Sequence, residues 1–170
     1  MIRIEIISER NFSETSLDSY VRRHEVKRVY RKIDGEYSLV EMPYIEDWSL
    51  EKKREVARDI VSDDYISYAA LDEEKVVGFI GLKKQLVDGY MILDMMHVSA
   101  ECRGKGIGRK LFEIGKQEAK KCGAKALYIS ACSSEETIAF YTAMGAKLTD
   151  EPIKEMADEE PFDLQMTCIV

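Results

Sequence analysis

Residues that would build a metal centre or a disulfide framework are scarce: the chain has four cysteines, two histidines and no Cys-x-x-Cys pair. Cys102, Cys122, Cys132 and Cys168 are scattered, and His24 and His97 lie far apart in the sequence. Neither a paired thiolate site nor a mixed His/Cys set is expected, so no metal is assigned. Cys122 and Cys168 fall in apolar patterns and read as reduced thiols, which fits a reducing compartment such as the cytoplasm. Long apolar runs are missing too. No window approaches the roughly eighteen apolar residues of a membrane-crossing helix, and Met1-Ile2-Arg3-Ile4-Glu5 lacks the apolar core of a secretory leader. Neither a membrane segment nor a signal peptide is expected. An excess of basic residues is absent as well. The formal charge of −7 argues against nucleic acid or an anionic membrane as partner, because both need clustered cations. An acidic surface suits a cationic amine by steering, and it is equally the ordinary surface of a soluble protein. There is no internal repeat or low-complexity tract.

What the chain does have is 170 residues with 45% hydrophobic content, enough for one α/β domain with a substantial core and too little for a second domain. Ile2 to Ile7 reads as a first strand, and Ser8 to Glu25, with Phe12, Leu17, Tyr20 and Val21, as a helix. Val26 to Ile33 and Glu36 to Met42 flank Asp34-Gly35, the dipeptide of a type I′ turn, and predict a hairpin that Pro43 ends. Leu50 to Val61 places Leu50, Val56, Ala57, Ile60 and Val61 on one stripe of a helix. Tyr65 to Leu71, Val76 to Leu86 and Tyr90 to Val98 form an antiparallel meander. A helix follows with Ile107, Leu111, Ile114, Ala119 and Cys122 on one face, and Gly123 stops it as a C′ residue. Ala126 to Ala131 is a short strand. Ser133-x-x-Glu136 predicts a capping box for a helix running to Met144, which Gly145 ends. Lys147 to Thr149 and Phe162 to Ile169 close the chain as a hairpin across an acidic, mobile loop, Asp150 to Pro161.

The most informative stretch is Arg103-Gly104-Lys105-Gly106-Ile107-Gly108-Arg109, where the strand Met91 to Val98 gives way to a helix. Gly106 and Gly108 carry no Cβ, so the backbone there can present successive N–H groups to phosphate oxygens. The first turn of a helix adds unpaired donors and the positive end of its dipole. Arg103, Lys105 and Arg109 add charge. Hydrogen bonds to charged groups contribute roughly 1.5–3 kcal/mol each, so several together anchor a diphosphate at micromolar affinity or better. A Walker loop is excluded, because no Gly-Lys-Ser/Thr ending exists, and glycines two apart do not make the Gly-x-Gly-x-x-Gly dinucleotide fingerprint.

With these residues in view, the chain resembles the GNAT superfamily of acyl-CoA-dependent N-acyltransferases. Arg103, Gly106 and Gly108 match its Arg/Gln-x-x-Gly-x-Gly/Ala signature, Val98 stands where the family's strand-end valine does, and Phe140-Tyr141-x-x-x-Gly145-Ala146 is similar to its second signature. The likeness runs from about Tyr65 to Leu148; the earlier part is loosely similar to small-molecule acetyltransferases of the streptothricin type. The resemblance implies a GNAT fold, a mixed and mostly antiparallel sheet of six to seven strands with helices on its faces and splayed central strands. Residues 1–64 would form a substrate-side part, 65–148 the acetyl-CoA-binding core and 149–170 the closing strands. It implies acetyl-CoA as co-substrate, gripped by Arg103 to Arg109, with Met96, His97 and Val98 pairing with the pantetheine arm as an added strand would. The asparagine that commonly touches the cofactor aligns with Ser134, which also suits a helix cap.

Acyl transfer from a thioester to an amine needs positioning, a donor to the carbonyl oxygen, a base for the ammonium and an acid for the thiolate. The resemblance makes Tyr141 the candidate acid: a phenol of pKa near 10 can protonate a thiolate whose conjugate acid is near 8.5. It is equally spaced as a half-buried aromatic on a helix with Ile138 and Met144. Asp94 is the candidate base, sharing strand parity with Met96 and Val98 if the strand is regular; a bulge would invert that parity. Asp94 as a plain structural carboxylate, His97, Glu46 and Asp47 stay open alternatives. The base glutamate that some relatives carry on the next strand is replaced by Ile129 or Ser130. Tyr30, Tyr37, Tyr44, Trp48 and nearby acids suit an amine pocket or hairpin packing alike. The reading is an N-acetyltransferase acting on a primary amine of a small molecule or peptide, with a non-catalytic acyl-CoA-binding module as the alternative. A homodimer is compatible with the abundance of tyrosine and methionine, as is core packing.

Overall fold

The computed structural model of the chain describes residues 1–170. Nine strands and four helices follow in order: β1 (Ile2–Ile6), β2 (His24–Ile33), β3 (Glu36–Glu46), α1 (Leu50–Val61), β4 (Tyr65–Asp72), β5 (Lys75–Lys83), β6 (Tyr90–Val98), α2 (Ile107–Lys121), β7 (Ala126–Ala131), α3 (Glu135–Ala143), β8 (Lys147–Leu148), α4 (Lys154–Glu159) and β9 (Leu164–Ile169). Seven strands make one sheet in the order β1-β4-β5-β6-β7-β9-β8, and β2 with β3 forms a separate two-stranded hairpin. Only β6 and β7 run parallel, so the fold is the mixed, mostly antiparallel sheet with flanking helices that the motifs imply.

Each face of the sheet has its own core. On one side α2 lays Ile107, Leu111, Phe112 and Ala119 against Ile80, Leu82, Met91 and Leu93. On the other, Val56, Ala57 and Ile60 of α1 meet Phe12, Leu17, Tyr20 and Phe79. Burying such side chains contributes roughly 1.5–3 kcal/mol each. The α2 helix ends in a Schellman motif: Gly123, at φ +76°, donates to the Lys120 carbonyl and Ala124 to that of Ala119.

Several elements differ from the sequence reading. Ser8 to Glu25 is not a helix but a chain of turns, in which short polar side chains take over the backbone. Ser8 N–H donates to Asn11 Oδ1 at 2.8 Å, Asn11 Nδ2 to the Ile6 carbonyl at 2.9 Å and Ser13 N–H to Ser16 Oγ at 2.9 Å. Phe12, Leu17 and Tyr20 are nevertheless buried. The hairpin runs past Pro43 to Glu46, because the pairing shifts between Val26 and Arg28 and the proline falls in that irregularity, where no ladder donor is required. The cap of α3 is Ser134, whose Oγ accepts from Thr137 N–H, and not Ser133. Lys154–Glu159 is helical where a mobile loop is expected, because Ile153 and Met156 pack on Tyr128, Ile92 and Tyr90. Cys122 is exposed while Cys168 is buried.

Leu111 is fully buried between α2 and the sheet. Leu111→Ala should lower unfolding free energy by about 2–5 kcal/mol, read as a shifted urea midpoint with an unchanged m-value.

Candidate functional site

The site begins with a parting of strands. β6 and β7 pair only over Tyr90–Ile92 and Ala126–Tyr128, after which they diverge. Beyond Ile92 the edge of β6 that faces β7 has no strand beside it. A cavity of about 1100 Å³ opens there, lined by β6 from Leu93 to Val98, by Ile129–Cys132, by the loop after β6 and by Thr137, Phe140, Tyr141 and Met144 of α3 and its cap.

A second irregularity sets which side chains enter it. The register between β5 and β6 shifts between Gly81 and Leu82, so Gly81 faces Met95 while Leu82 faces Leu93, and Asp94 is the extra residue of a bulge. The parity expected of a regular strand is therefore inverted. Met96 and Val98 pack with Met91 and Leu93 in the α2-side core, whereas Met95 joins the α1-side core. Asp94 does not share a face with Met96 and Val98. It turns toward β4, where its Oδ2 accepts from Tyr65 Oη at 2.6 Å and its Oδ1 lies 3.9 Å from Lys83 Nζ. It still lines the cavity.

The glycine loop follows a short 3₁₀ turn, Ala100–Cys102. Gly104 and Gly106 both sit at φ +78°, a left-handed conformation, and a Cβ at either would meet nothing within 4 Å. Glycine is required there for the backbone alone. Gly108 is different: its Cβ would come within 3.3 Å of Phe140, so the bare residue lets the first turn of α2 lie against α3. None of the amides from Arg103 to Arg109 is hydrogen-bonded within the protein; the first bonded one is Lys110, to the Gly106 carbonyl at 3.2 Å. All of these residues except Lys105 line the cavity, and they lead into the positive end of α2. Arg109 lines the cavity, whereas Lys105 does not. The Arg103 side chain braces the loop: Nε donates to the Val98 carbonyl and Nη2 to the Arg22 carbonyl, both at 3.1 Å.

The remaining candidates are sorted by their surroundings. Tyr141 is buried at the cavity wall, and burial, with the charges of Cys132 and Asp163 nearby, holds its phenol protonated well above the usual range. His97 stacks edge-on against Trp48 at 4.9 Å, and burial, with the charges of Arg22 and Arg103, drives its imidazole down to about 3. A base that weak takes no proton from an ammonium near neutral pH. Ser134 is fully buried and its hydroxyl serves the α3 cap, donating to Thr137 Oγ1 at 2.7 Å; Thr137, one turn on, is the residue that reaches the cavity. Of the hairpin residues, His24, Glu25 and Glu46 line the cavity, as does Trp48 just beyond the hairpin, and Glu46 is paired with Arg22 at 3.1 Å. Tyr37 is exposed and Asp47 accepts from its neighbour Trp48 N–H. The hairpin is fastened over α3 by Arg28, which donates to both Glu135 oxygens at 2.8 and 2.7 Å.

Sequence reasoning missed Arg22, Ser130, Thr137 and Asp163. Asp163 is placed by the turn after α4, where its N–H donates to the Glu160 carbonyl. Only the register of β9 against β7 could have revealed that it faces Ser130.

The model of the GNAT acetyltransferase family matches residues 26–146. The chain belongs to that family, and its activity class is acetyl transfer. The solved structures agree on the fold. Nourseothricin acetyltransferase superposes with a TM-score of 0.76 at 17% identity, covering 99% of this chain and 98% of that one. A Bacillus anthracis protein assigned as a streptothricin acetyltransferase, in complex with acetyl coenzyme A, gives 0.75 at 18% identity over 100% and 99%. The ribosomal-protein-S18-alanine N-acetyltransferase of Escherichia coli gives 0.63 at 16% identity over 100% and 94%. A comparison with curated proteins finds no match. No helix is long and apolar enough to cross a membrane.

His97 should titrate far below an ordinary histidine. The unfolded chain protonates it near pH 6.5 and the native state only near 3, so between these values the unfolded state binds the extra proton and stability falls as pH falls. Imidazole proton shifts followed from pH 8 to 4 should show His97 neutral throughout.

Proposed function

We propose that the protein transfers an acetyl group from acetyl-CoA to a primary amine of a small molecule or peptide, by direct attack within a ternary complex. The observation that carries this reading is the row of free amides from Arg103 to Arg109 at the mouth of a cavity between diverging strands. Those donors suit a pyrophosphate, and the free edge of β6 around Met96 offers main-chain groups to an amide-bearing arm in the manner of an added strand, the Val98 carbonyl being already held by Arg103. Arg109 supplies charge at the rim. The thioester then lies at the bottom of the opening, beside Tyr141.

Tyr141 donates its proton to the departing thiolate. Its burial keeps the phenol protonated across the neutral range, so the donor is present whenever the thiolate forms. The acceptor is received from the side where Asp94 and Asp163 line the opening together with Glu159 and Glu160, a lining that favours a cationic amine over an anionic one. The four free cysteines support a cytoplasmic setting, where thiols stay reduced.

Acetyl-CoA should raise the melting temperature of the native protein, and free thiol should appear when an accepted amine is added. Tyr141→Phe should lower kcat by roughly 10²–10⁴-fold with acetyl-CoA affinity retained; unchanged turnover removes Tyr141 from the acid role. Stabilisation without thiol release across an amine panel would instead mark a non-catalytic acyl-CoA-binding module. Gly106→Val forces a β-branched residue into the left-handed region, and acetyl-CoA stabilisation should then disappear while the unliganded melting temperature moves by only a few degrees.

A further inference from the structure

Of the four carboxylates on the acceptor side of the cavity, Asp94 and Asp163 are the two that accept a hydrogen bond from a neighbouring hydroxyl. Asp94 Oδ2 accepts from the Tyr65 phenol, and its Oδ1 lies 3.9 Å from the Lys83 ammonium, so its charge is balanced by a cation. Asp163 has one oxygen held and one free. Its Oδ2 accepts from Ser130 Oγ at 3.0 Å; Ser130 accepts from Gln165 Nε2 at 2.8 Å; Gln165 Oε1 accepts from Tyr128 Oη at 2.6 Å; and Tyr128 accepts from the Ile153 N–H at 2.9 Å. Every donor in this chain points the same way, toward Asp163. A hydrogen-bond chain polarised in one direction strengthens along its length and fixes the geometry of its last member. Tyr128 is fully buried, and Ser130 and Gln165 sit opposite each other in the β7–β9 ladder, so the chain is built into the sheet.

We propose that Asp163 is the group that takes the proton from the acceptor ammonium, with Ser130, Gln165 and Tyr128 as the residues that position it. The proposal rests on the acetyl-transfer reading above. Asp163 Oδ1 removes one proton from R–NH3⁺, and the neutral amine attacks the thioester carbonyl carbon. The C–N bond forms, the C–S bond breaks, and the thiolate takes the Tyr141 proton. The second nitrogen proton returns to the Tyr141 phenolate, and Asp163 gives its proton to solvent. The balance is amide, free thiol and one proton released. Asp94, held by Tyr65, contributes charge that attracts the amine and does not exchange a proton.

The electrostatics agree. Burial lifts the Asp163 carboxyl to about 6, partly offset by the Ser130 hydrogen bond, while its charge helps push the Tyr141 phenol upward. Burial thus raises both groups, which makes Asp163 a better proton acceptor near neutral pH and keeps Tyr141 protonated. The Asp163 environment also includes Glu160 and Glu46, which raise its carboxyl, and Cys132, Ser130 and Tyr141 on the facing walls of the cavity.

The test uses acetyl-CoA with 1,4-diaminobutane, lysine amide and glycyl-lysine as acceptors, following thiol release between pH 5 and 9. Wild-type kcat/KM should fall on the acid side with a midpoint near 6. Asp163→Asn should lose roughly 10²-fold or more in kcat, abolish that limb and keep acetyl-CoA stabilisation. Ser130→Ala should move the limb to higher pH, because the lost hydrogen bond is one that lowers the Asp163 carboxyl; a merely structural serine would leave the midpoint in place. Asp94→Asn should raise KM and leave the limb where it is. Wild-type turnover together with an Asp163→Asn profile that retains the limb, or with a limb that vanishes in Asp94→Asn instead, overturns the proposal alone. No thiol release by the wild-type protein with any of the acceptors overturns the acetyl-transfer reading together with it.

Discussion

Everything in the site follows from the shortness of one pairing. β6 and β7 are the only parallel neighbours, and they hold each other for three residues before separating. A parallel pair whose ends diverge leaves main-chain donors and acceptors without a partner, which a folded protein ordinarily avoids because each such group forgoes a hydrogen bond. Here the forgone bonds become a slot. The strand that loses its neighbour leads directly into a loop with seven further unbonded amides. Strand edge and loop donors, separated by the bonded amides of Ser99, Ala100 and Cys102, border the same cavity, which suits a ligand with an anionic head and an amide-bearing arm.

Two departures from regular backbone, one in β6 and one in the loop after it, complete the arrangement. The bulge at Asp94 rotates the strand end, so Met96 and Val98 pack under α2 and Asp94 turns toward Tyr65. The left-handed glycines Gly104 and Gly106 then turn the chain into α2, whose first residues line the cavity with unbonded amides. Helix propensity has little to do with either feature. Both are backbone conditions, and the side chains around them, Arg103 above all, hold the loop in place and do not themselves form the cradle.

The sequence disclosed the architecture where a local pattern carried the information. Asp34-Gly35 marked the hairpin, Gly123 the end of α2, and the glycine loop with its flanking strand and helix marked the cradle and the family. It failed where the deciding partner is distant. The Ser8–Glu25 stretch has helical spacing, yet Asn11, Ser13 and Ser16 bond the backbone locally and the apolar residues reach the core from turns. Acidic composition makes 150–161 read as a loop, although Ile153 and Met156 pack beside Tyr128, which the sequence alone does not show. Asp94 was identified as a candidate but on the wrong face, since a bulge is a property of two strands. Asp163 escaped notice because its relation to Ser130 exists only in the register of β7 with β9.

One contact has a wider meaning for how such a protein changes over generations. Arg103 ties the glycine loop to the segment ahead of the hairpin through the carbonyl of residue 22, and not through its side chain. Any amino acid at that place carries the same oxygen. The side chains of that segment are thus free to change, while the glycine loop, fixed to main chain on both sides, is insulated from that drift.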